Sequence, residues 1–401
     1  MTKGLRTKLS VMMFLQFFIW GAWAVTLGTY LGTTLAFEGS QIGLIYGTTA
    51  IAAIISPLFV GFIADRHFES QRVFSVMHFA GAILLFAASQ VTDFVSLYAL
   101  LLAYALCYMP TLALANGVGF RNLPDPDRQF PLVRVLGTIG WIVAGLVVGF
   151  LNLEDKNVPL QIAAGVSVVL GVYGFLLPRT PPKKTGKAQS IGQMLGLDAF
   201  ALLRDRAFLV LFVCSILISI PLAFYYNFTN LFLNELGLEN AAGKMTMGQA
   251  SEVAFMLIMP LLFRRMGVKW MIAVGMLAWV TRYALFAFGD IDPATVWMLY
   301  VGIILHGICY DFFFVAGQMF ANQRAPESLK NSVQGIMTLG TYGVGMFIGS
   351  LASGWIVSGF TSADGVKAWD TIWMIPASMA LLVLIAWVLL FNEERKVAEG
   401  S

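Results

Sequence analysis

Arg134, Glu252, Arg282 and Asp311 each interrupt a long apolar run in a chain that is 58% hydrophobic. A charge at the centre of a bilayer costs roughly 2.5 to 3.5 kcal/mol on insertion scales, so such residues face a polar cavity, pair with each other, or handle substrate and protons. Their neighbours carry matching chemistry. Arg134, Thr138 and Trp141 follow i, i+4, i+7 spacing, which lines up a cation, a hydroxyl and an aromatic ring on one helical face. Gln249 and Glu252 are three residues apart, while His306 and Tyr310 are four apart with Asp311 beside them. Tyr225, Tyr226, Asn227 and Asn230 form another group, and Gln16, Trp20 and Trp23 a further one. Aromatic faces can sandwich a planar ring, amides can read its edge, and a carboxylate can accept from vicinal hydroxyls. That inventory fits a nucleoside; a sugar would use similar carboxylates and tryptophans.

Each residue also has a structural alternative. Glu252 and Asp311 can simply neutralise Arg134 and Arg282, and Arg282, near the outer end of its run, can snorkel to the interface. The tryptophans and His306 can be packed core. Asn227-Phe-Thr229 matches a glycosylation sequon but lies inside an apolar run. Cys107, Cys214 and Cys309 also fall within apolar runs, are odd in number and lack ligand spacing, so neither a disulfide nor a metal is expected, and no cofactor. With no nucleophile–base pair, metal cluster or phosphate loop, an enzyme is the least supported class.

The elements that must hold these groups are membrane-spanning helices. About 20 residues cross roughly 30 Å of hydrocarbon, and suitable runs lie near 8–34, 41–64, 73–91, 94–118, 131–151, 159–178, 207–236, 245–263, 270–288, 294–320, 332–359 and 369–391. The expected fold is therefore an all-α membrane protein of twelve transmembrane helices. Only 12% of residues are charged and the mean hydropathy is +0.78, too little polar surface for a soluble protein of this length. Of the 25 Lys and Arg residues, only Lys156, Lys244 and Lys367 lie on one side, two are intramembrane, and the rest fall on the other. The positive-inside rule then places both termini in the cytoplasm. The net charge of +3 is this bias rather than a nucleic-acid footprint. The first run is too long for a signal-peptide core and is expected to remain as an anchor.

The longest polar connection divides the spans six and six, giving halves at 1–178 and 207–401 around a linker at 179–206. The linker opens Arg179-Thr-Pro-Pro-Lys-Lys-Thr-Gly-Lys187, and Leu195, Phe200 and Leu203 suggest a helix lying on the membrane surface. Leu136-Gly-Thr-Ile-Gly140 recurs as Leu339-Gly-Thr-Tyr-Gly343 at an offset of 203, which also carries Arg121 onto Arg324. Such internal matches point to duplicated halves. Gly140, Gly145 and Gly149 in one span, and Gly340, Gly343, Gly345, Gly349 and Gly354 in its counterpart, permit close backbone approach.

Gly61-Phe-Ile-Ala-Asp65-Arg66, with a further basic residue at Arg72, resembles the Gly-x-x-x-Asp-Arg signature of the major facilitator superfamily. Gly61, Asp65, Arg66 and Arg72 are read as a conformational latch. More specifically, the chain resembles the nucleoside:proton symporter family, the NupG-type branch of that superfamily, from Leu15 to about Phe391. The marks are Leu15-Gln-Phe, Trp20-Gly-Ala-Trp23, Thr26-Leu-Gly-Thr-Tyr30, Tyr108-Met-Pro-Thr-Leu112, Arg134 with Gly137-Thr-Ile-Gly140, Gln249 with Ser251-Glu252, Arg282 with Ala284-Leu-Phe-Ala287, and Asp311-Phe-Phe313. The resemblance implies that Arg134, Thr138, Gln249, Glu252 and Asp311 line a nucleoside site, with Trp141 and Tyr310 at its aromatic positions. It also implies departures: Ala223 and Tyr226 stand in place of amides and His306 in place of a tyrosine, so Tyr226 and His306 are expected to alter base preference. Glu252 or Asp311 would carry the proton and Arg134 would modulate it. The expectation is a monomeric, bilayer-embedded importer in a bacterial inner membrane, driven by protons through alternating access. A proton-coupled sugar or polyol porter and a non-transporting nucleoside sensor are the alternatives.

Overall fold

Apolar runs bounded by acidic or amide caps fold into a bundle of long helices in a computed structural model that describes residues 3–59, 68–182, 197–326 and 329–392. The first, α1 (Lys3–Trp23), continues beyond a turn through Leu27–Thr29 and a π-helical turn at Tyr30–Thr34. It is followed by α2 (Gly39–Phe59), α3 (Ser70–Ala88), α4 (Phe94–Asn122), α5 (Pro126–Phe150) and α6 (Val158–Gly174). After a 3-10 segment at Leu197–Arg204 come α7 (Arg206–Glu235) and a long helix, Ala241–Phe288. Gly267, at φ 70°, breaks that helix into α8 (241–266) and α9 (268–288). The remainder is α10 (Val296–Ile304, His306–Tyr310, Asp311–Val315 and Ala316–Arg324), α11 (Lys330–Thr338, Leu339–Gly345 and Met346–Gly359) and α12 (Trp369–Leu390).

Among the described residues, ten helices are long and apolar enough to cross a bilayer, and α6 is a shorter apolar helix of 17 residues. The only β-structure among these residues is an isolated bridge between Thr361 and Lys367. The helices start where sequence chemistry allows. Asp93 caps α4 by accepting from Ser96 N at 2.9 Å, Asp125 caps α5 ahead of Pro126, and Asp205 caps α7 by accepting from Ala207 N and Phe208 N. These oxygens satisfy amides that have no partner within the first helical turn.

Hydrogen bonds between connecting segments gather the connections at two ends. At the end holding the N-terminus, here called proximal, Lys8 reaches Leu176 O, and Arg324 pairs with Asp205 at 2.9 Å. At the opposite, distal end, Thr34 bonds Asp155 O, Asn157 bonds Ser89 O, and Lys367 pairs with Glu235 at 2.5 Å. Helices α1 to α6 pack chiefly with one another, as do α7 to α12, and the two sets meet where α2 lies along α11 and α5 along α8.

Glycine fixes those meetings. A Cβ at Gly43 would lie 2.3 Å from Ser350 O, and one at Gly149 would lie 2.6 Å from Gly243 N, so only a hydrogen fits between the backbones. The segment after the linker is a 3-10 helix over Leu197–Arg204, with Ala199 buried and Phe200 exposed while edge-on to Phe212 at 6.4 Å. Leu195 and half of the linker, 183–196, lie outside the described residues.

Candidate functional site

Three helices carry three of the four intramembrane charges, Arg134, Glu252 and Asp311, with Glu252 acting electrostatically on the other two. On α5, the Arg134 guanidinium lies 3.9 Å over the Phe17 ring of α1. Gly137 makes this possible, because a Cβ there would meet Arg134 Nη1 at 2.8 Å and Phe17 Cδ2 at 2.7 Å. On α8, Glu252 is held by the approach of α10: a Cβ at Gly307 would lie 2.6 Å from Glu252 N, and Ser251 Oγ donates to Ile304 O at 2.7 Å while accepting from Gly307 N at 3.1 Å. Arg134 and Glu252 lie within each other's electrostatic reach across the two helical sets without forming a direct ion pair, and Tyr310 and Tyr342 share that field. Both charged residues are half-buried, as are Thr138 and Gln249, one turn or less along the same helices.

Aromatic rings surround this pair. Trp141 of α5 stands edge-on to Trp20 of α1 at 5.5 Å, and Trp20 in turn meets Tyr108 of α4 at 6.0 Å. From the other set, the Tyr310 hydroxyl bonds that of Tyr342, and Tyr226 is half-buried. Gln16 is fully buried beneath the tryptophans: its amide donates to Thr111 at 2.7 Å, and its carbonyl accepts from His78 at 2.8 Å. It therefore braces the wall on the side of the first helical set.

Asp311 begins a π-helical turn in α10, and a second π turn spans Leu339–Gly345 of α11. Such bulges recur at functional sites because one added residue re-aims the following side chains. Asp311 is 0% exposed, and neither carboxylate oxygen has a hydrogen-bond partner. Its nearest charged influence is Glu252. The arrangement offers aromatic walls for a neutral polar ring system, beside two buried or half-buried carboxylates.

Other candidates lie elsewhere. Arg282 does not snorkel: it is 0% exposed, its Cζ lies 3.3 Å over the Tyr225 ring, and its Nη1 is 3.1 Å from His306 Nδ1. His306 is 1% exposed, stacked on Tyr225 at 5.1 Å, and so lies a layer behind Tyr226 and Tyr310. Ala223 is buried against Gly349 at the junction of α7 and α11. Asn227, whose sequon is sealed in the bundle, donates to Ser350 and Ser353 at 3.2 Å. Of the latch residues, Gly61, Asp65 and Arg66 lie outside the described residues, while Arg72 pairs with Glu69 at 2.8 Å.

The sequence gives little sign of Glu154, an acid in the α5–α6 connection. It is 5% exposed and accepts from Asn230 Nδ2 at 2.8 Å, Asn234 Nδ2 at 2.7 Å and Ala242 N at 3.0 Å. Thr29 of α1 donates to Asn230 Oδ1 at 2.5 Å. One carboxylate thus ties the first helical set to α7 and α8 at the distal end, beside a cleft of about 500 Å³. Asn230, expected with the ligand-facing groups, belongs to this network.

A family model described as "Nucleoside H+ symporter" matches residues 3–396. YegT of Escherichia coli (strain K12), a candidate nucleoside transporter, is 45% identical over 399 residues, covering 96% of this chain and 93% of the relative. The xanthosine permease of the same organism is 36% identical over 392 residues, covering 94% of each. The crystal structure of the nucleoside transporter NupG, as an Asp-to-Ala mutant, superposes with a TM-score of 0.92 at 33% identity, covering 97% of this chain and 100% of that one.

Proposed function

The chain belongs to the nucleoside H+ symporter family, and we propose on that footing how its own residues import a nucleoside with protons by alternating access. It is a multi-pass membrane transporter and not an enzyme. The observation that carries the reading is that Arg134 of one helical set and Glu252 of the other act on each other electrostatically, with Tyr226, Tyr310 and Tyr342 sharing the field of Glu252. The nucleoside sits there, its ring held by the aromatic faces and its hydroxyls and base edge met by Arg134, Thr138, Gln249 and Glu252.

Helices α1 to α6 and α7 to α12 act as the two bodies that rock about this site. A neutral substrate accumulates only if a coupled ion moves with it. Glu252 or Asp311 is the proton carrier, and Arg134 governs it as the bodies separate, because a cation favours the charged form of a carboxylate near it. Glu154, Asn230, Asn234 and the glycine contact of Gly43 with Ser350 hold the distal end shut, which corresponds to the conformer that opens proximally. Orientation by the basic residues makes the proximal side cytoplasmic, in a bacterial inner membrane, with both termini inside. The site is complete within one chain, so a monomer suffices.

Uptake of labelled nucleoside into proteoliposomes, with and without an imposed proton gradient, tests the reading. Accumulation above equilibrium with the gradient alone is expected, and competition should follow whole nucleosides rather than ribose. Binding without flux would make the protein a sensor, and competition by free sugar would make it a sugar porter; either result overturns the proposal.

A further inference from the structure

Helix α1 loses regular geometry at residues 24–26 and resumes as an arm over Leu27–Thr34, although no proline lies between Lys3 and Thr34. A regular helix would bond Gly28 N to Ala24 O, four residues back. Tyr46 of α2 comes between them instead: its hydroxyl accepts from Gly28 N at 2.9 Å and donates to Ala24 O at 2.8 Å. A side chain inserted into the backbone ladder is one of the few causes of a sharp helix bend. The two sides of the break belong to different bodies. On the proximal side α1 packs within its own set, where a Cβ at Gly21 would lie 3.0 Å from the Trp141 backbone. On the distal side the arm is seated on α7 of the other set. A Cβ at Gly28 would lie 2.3 Å from Asn227 O, one at Gly32 would lie 3.0 Å from Leu231 Cδ2, and Thr29 donates to Asn230 at 2.5 Å.

We propose that the Tyr46 hydroxyl is the wedge of a hinge, and that the arm Leu27–Thr34 is the leaf of a distal gate: the bend carries the arm across the seam onto α7, and straightening it withdraws the arm while the rest of α1 stays with its own set. Both positions of the arm satisfy the backbone, which an apolar setting demands. Bent, Gly28 N and Ala24 O pair with Tyr46; straight, they pair with each other. The seat on α7 suits a contact that must part. Gly28 and Gly32 present a smooth surface with no side chain to disengage, and Thr29 supplies one hydrogen bond, to the same Asn230 that Glu154 holds. The inference rests on the alternating-access reading above.

The test uses the full chain in lipid nanodiscs with its three native cysteines replaced. Spin labels at Thr33 on the arm, Gln90 on the first set and Asp370 on the second, all exposed, give pair distances by double electron–electron resonance. Tyr46→Phe keeps the ring and removes the wedge. Straightening a bend of about 20° on an arm about 10 Å long should move Thr33 roughly 3 to 4 Å relative to Gln90. Thr29→Val removes the tie to Asn230 and keeps the wedge, so that distance should stay as in the wild type. A cysteine at Leu231, which is 0% exposed beneath the arm, should react with a maleimide about threefold to tenfold faster in Tyr46→Phe, the range of one net hydrogen bond. An unchanged Thr33–Gln90 distance in Tyr46→Phe, or an equal shift in Thr29→Val, would overturn the wedge, and unchanged labelling at 231 would overturn the gate. A Gln90–Asp370 distance that stays a single population with and without adenosine would instead sink the rocking of the two sets, while Thr33–Gln90 still decides the hinge.

Discussion

Replacing Glu154 by alanine should unlock the distal end. Its carboxylate accepts three hydrogen bonds, two from α7 and one from the first turn of α8, and hydrogen bonds to a charged group are worth about 1.5 to 3 kcal/mol each. The net effect is smaller than their sum. Asn234 Nδ2 keeps Asn230 O at 2.9 Å, and the adjoining cleft lets water reach the freed amides. A loss of about 2 kcal/mol is therefore reasonable, shifting the ratio of closed to open distal ends roughly 30-fold.

Thr246 is a suitable reporter. It is 8% exposed, lies within the distal interface, and faces Gly145, where a Cβ would come within 2.8 Å of its methyl. With Cys107, Cys214 and Cys309 replaced, a cysteine at 246 should react with a membrane-impermeant maleimide only when the end opens. Its labelling rate should rise at least tenfold in Glu154→Ala and less in Glu154→Gln, which retains one acceptor oxygen. An unchanged rate in a variant of unchanged melting temperature would refute the locking role.

Further outcomes concern coupling, selectivity and packing. Glu252→Gln or Asp311→Asn should abolish uphill uptake at one of the two positions while nucleoside exchange continues, since the amide keeps the shape and cannot carry a proton; accumulation surviving in both single variants would rule out a carboxylate carrier. Tyr226→Asn combined with His306→Tyr should change the ranking of purine and pyrimidine nucleosides more than the maximal rate, and competition panels would read this; the same ranking at a lower rate would make both side chains structural. Gly140→Ala, whose Cβ would lie 2.2 Å from Phe14 O inside the first helical set, should lower the melting temperature. Gly43→Ala, 2.3 Å from Ser350 O between the sets, should instead raise distal labelling with little thermal penalty.

The sequence by itself determined the helices, their membrane setting, the family and the charges worth following. Burial of apolar surface in a bilayer demands long uninterrupted runs, and an ionisable residue inside one stands out whatever the tertiary arrangement. The i, i+4, i+7 spacing of Arg134, Thr138 and Trp141 was legible for the same reason, because helical period is local. Partnership was not. Whether Arg282 reaches the interface or turns inward depends on Tyr225 and His306, which stand on other helices. Asn230 carries the same amide whether it meets a ligand or Glu154, a residue 76 positions away. The π turns at Asp311–Val315 and Leu339–Gly345 shift the register that a regular helical count assumes, and Tyr342, inside the second, bonds the Tyr310 hydroxyl of the neighbouring helix. Hydropathy fixes which segments leave water. Only long-range packing, through glycine contacts such as Gly307 on Glu252, decides which polar groups must satisfy each other once they have left it.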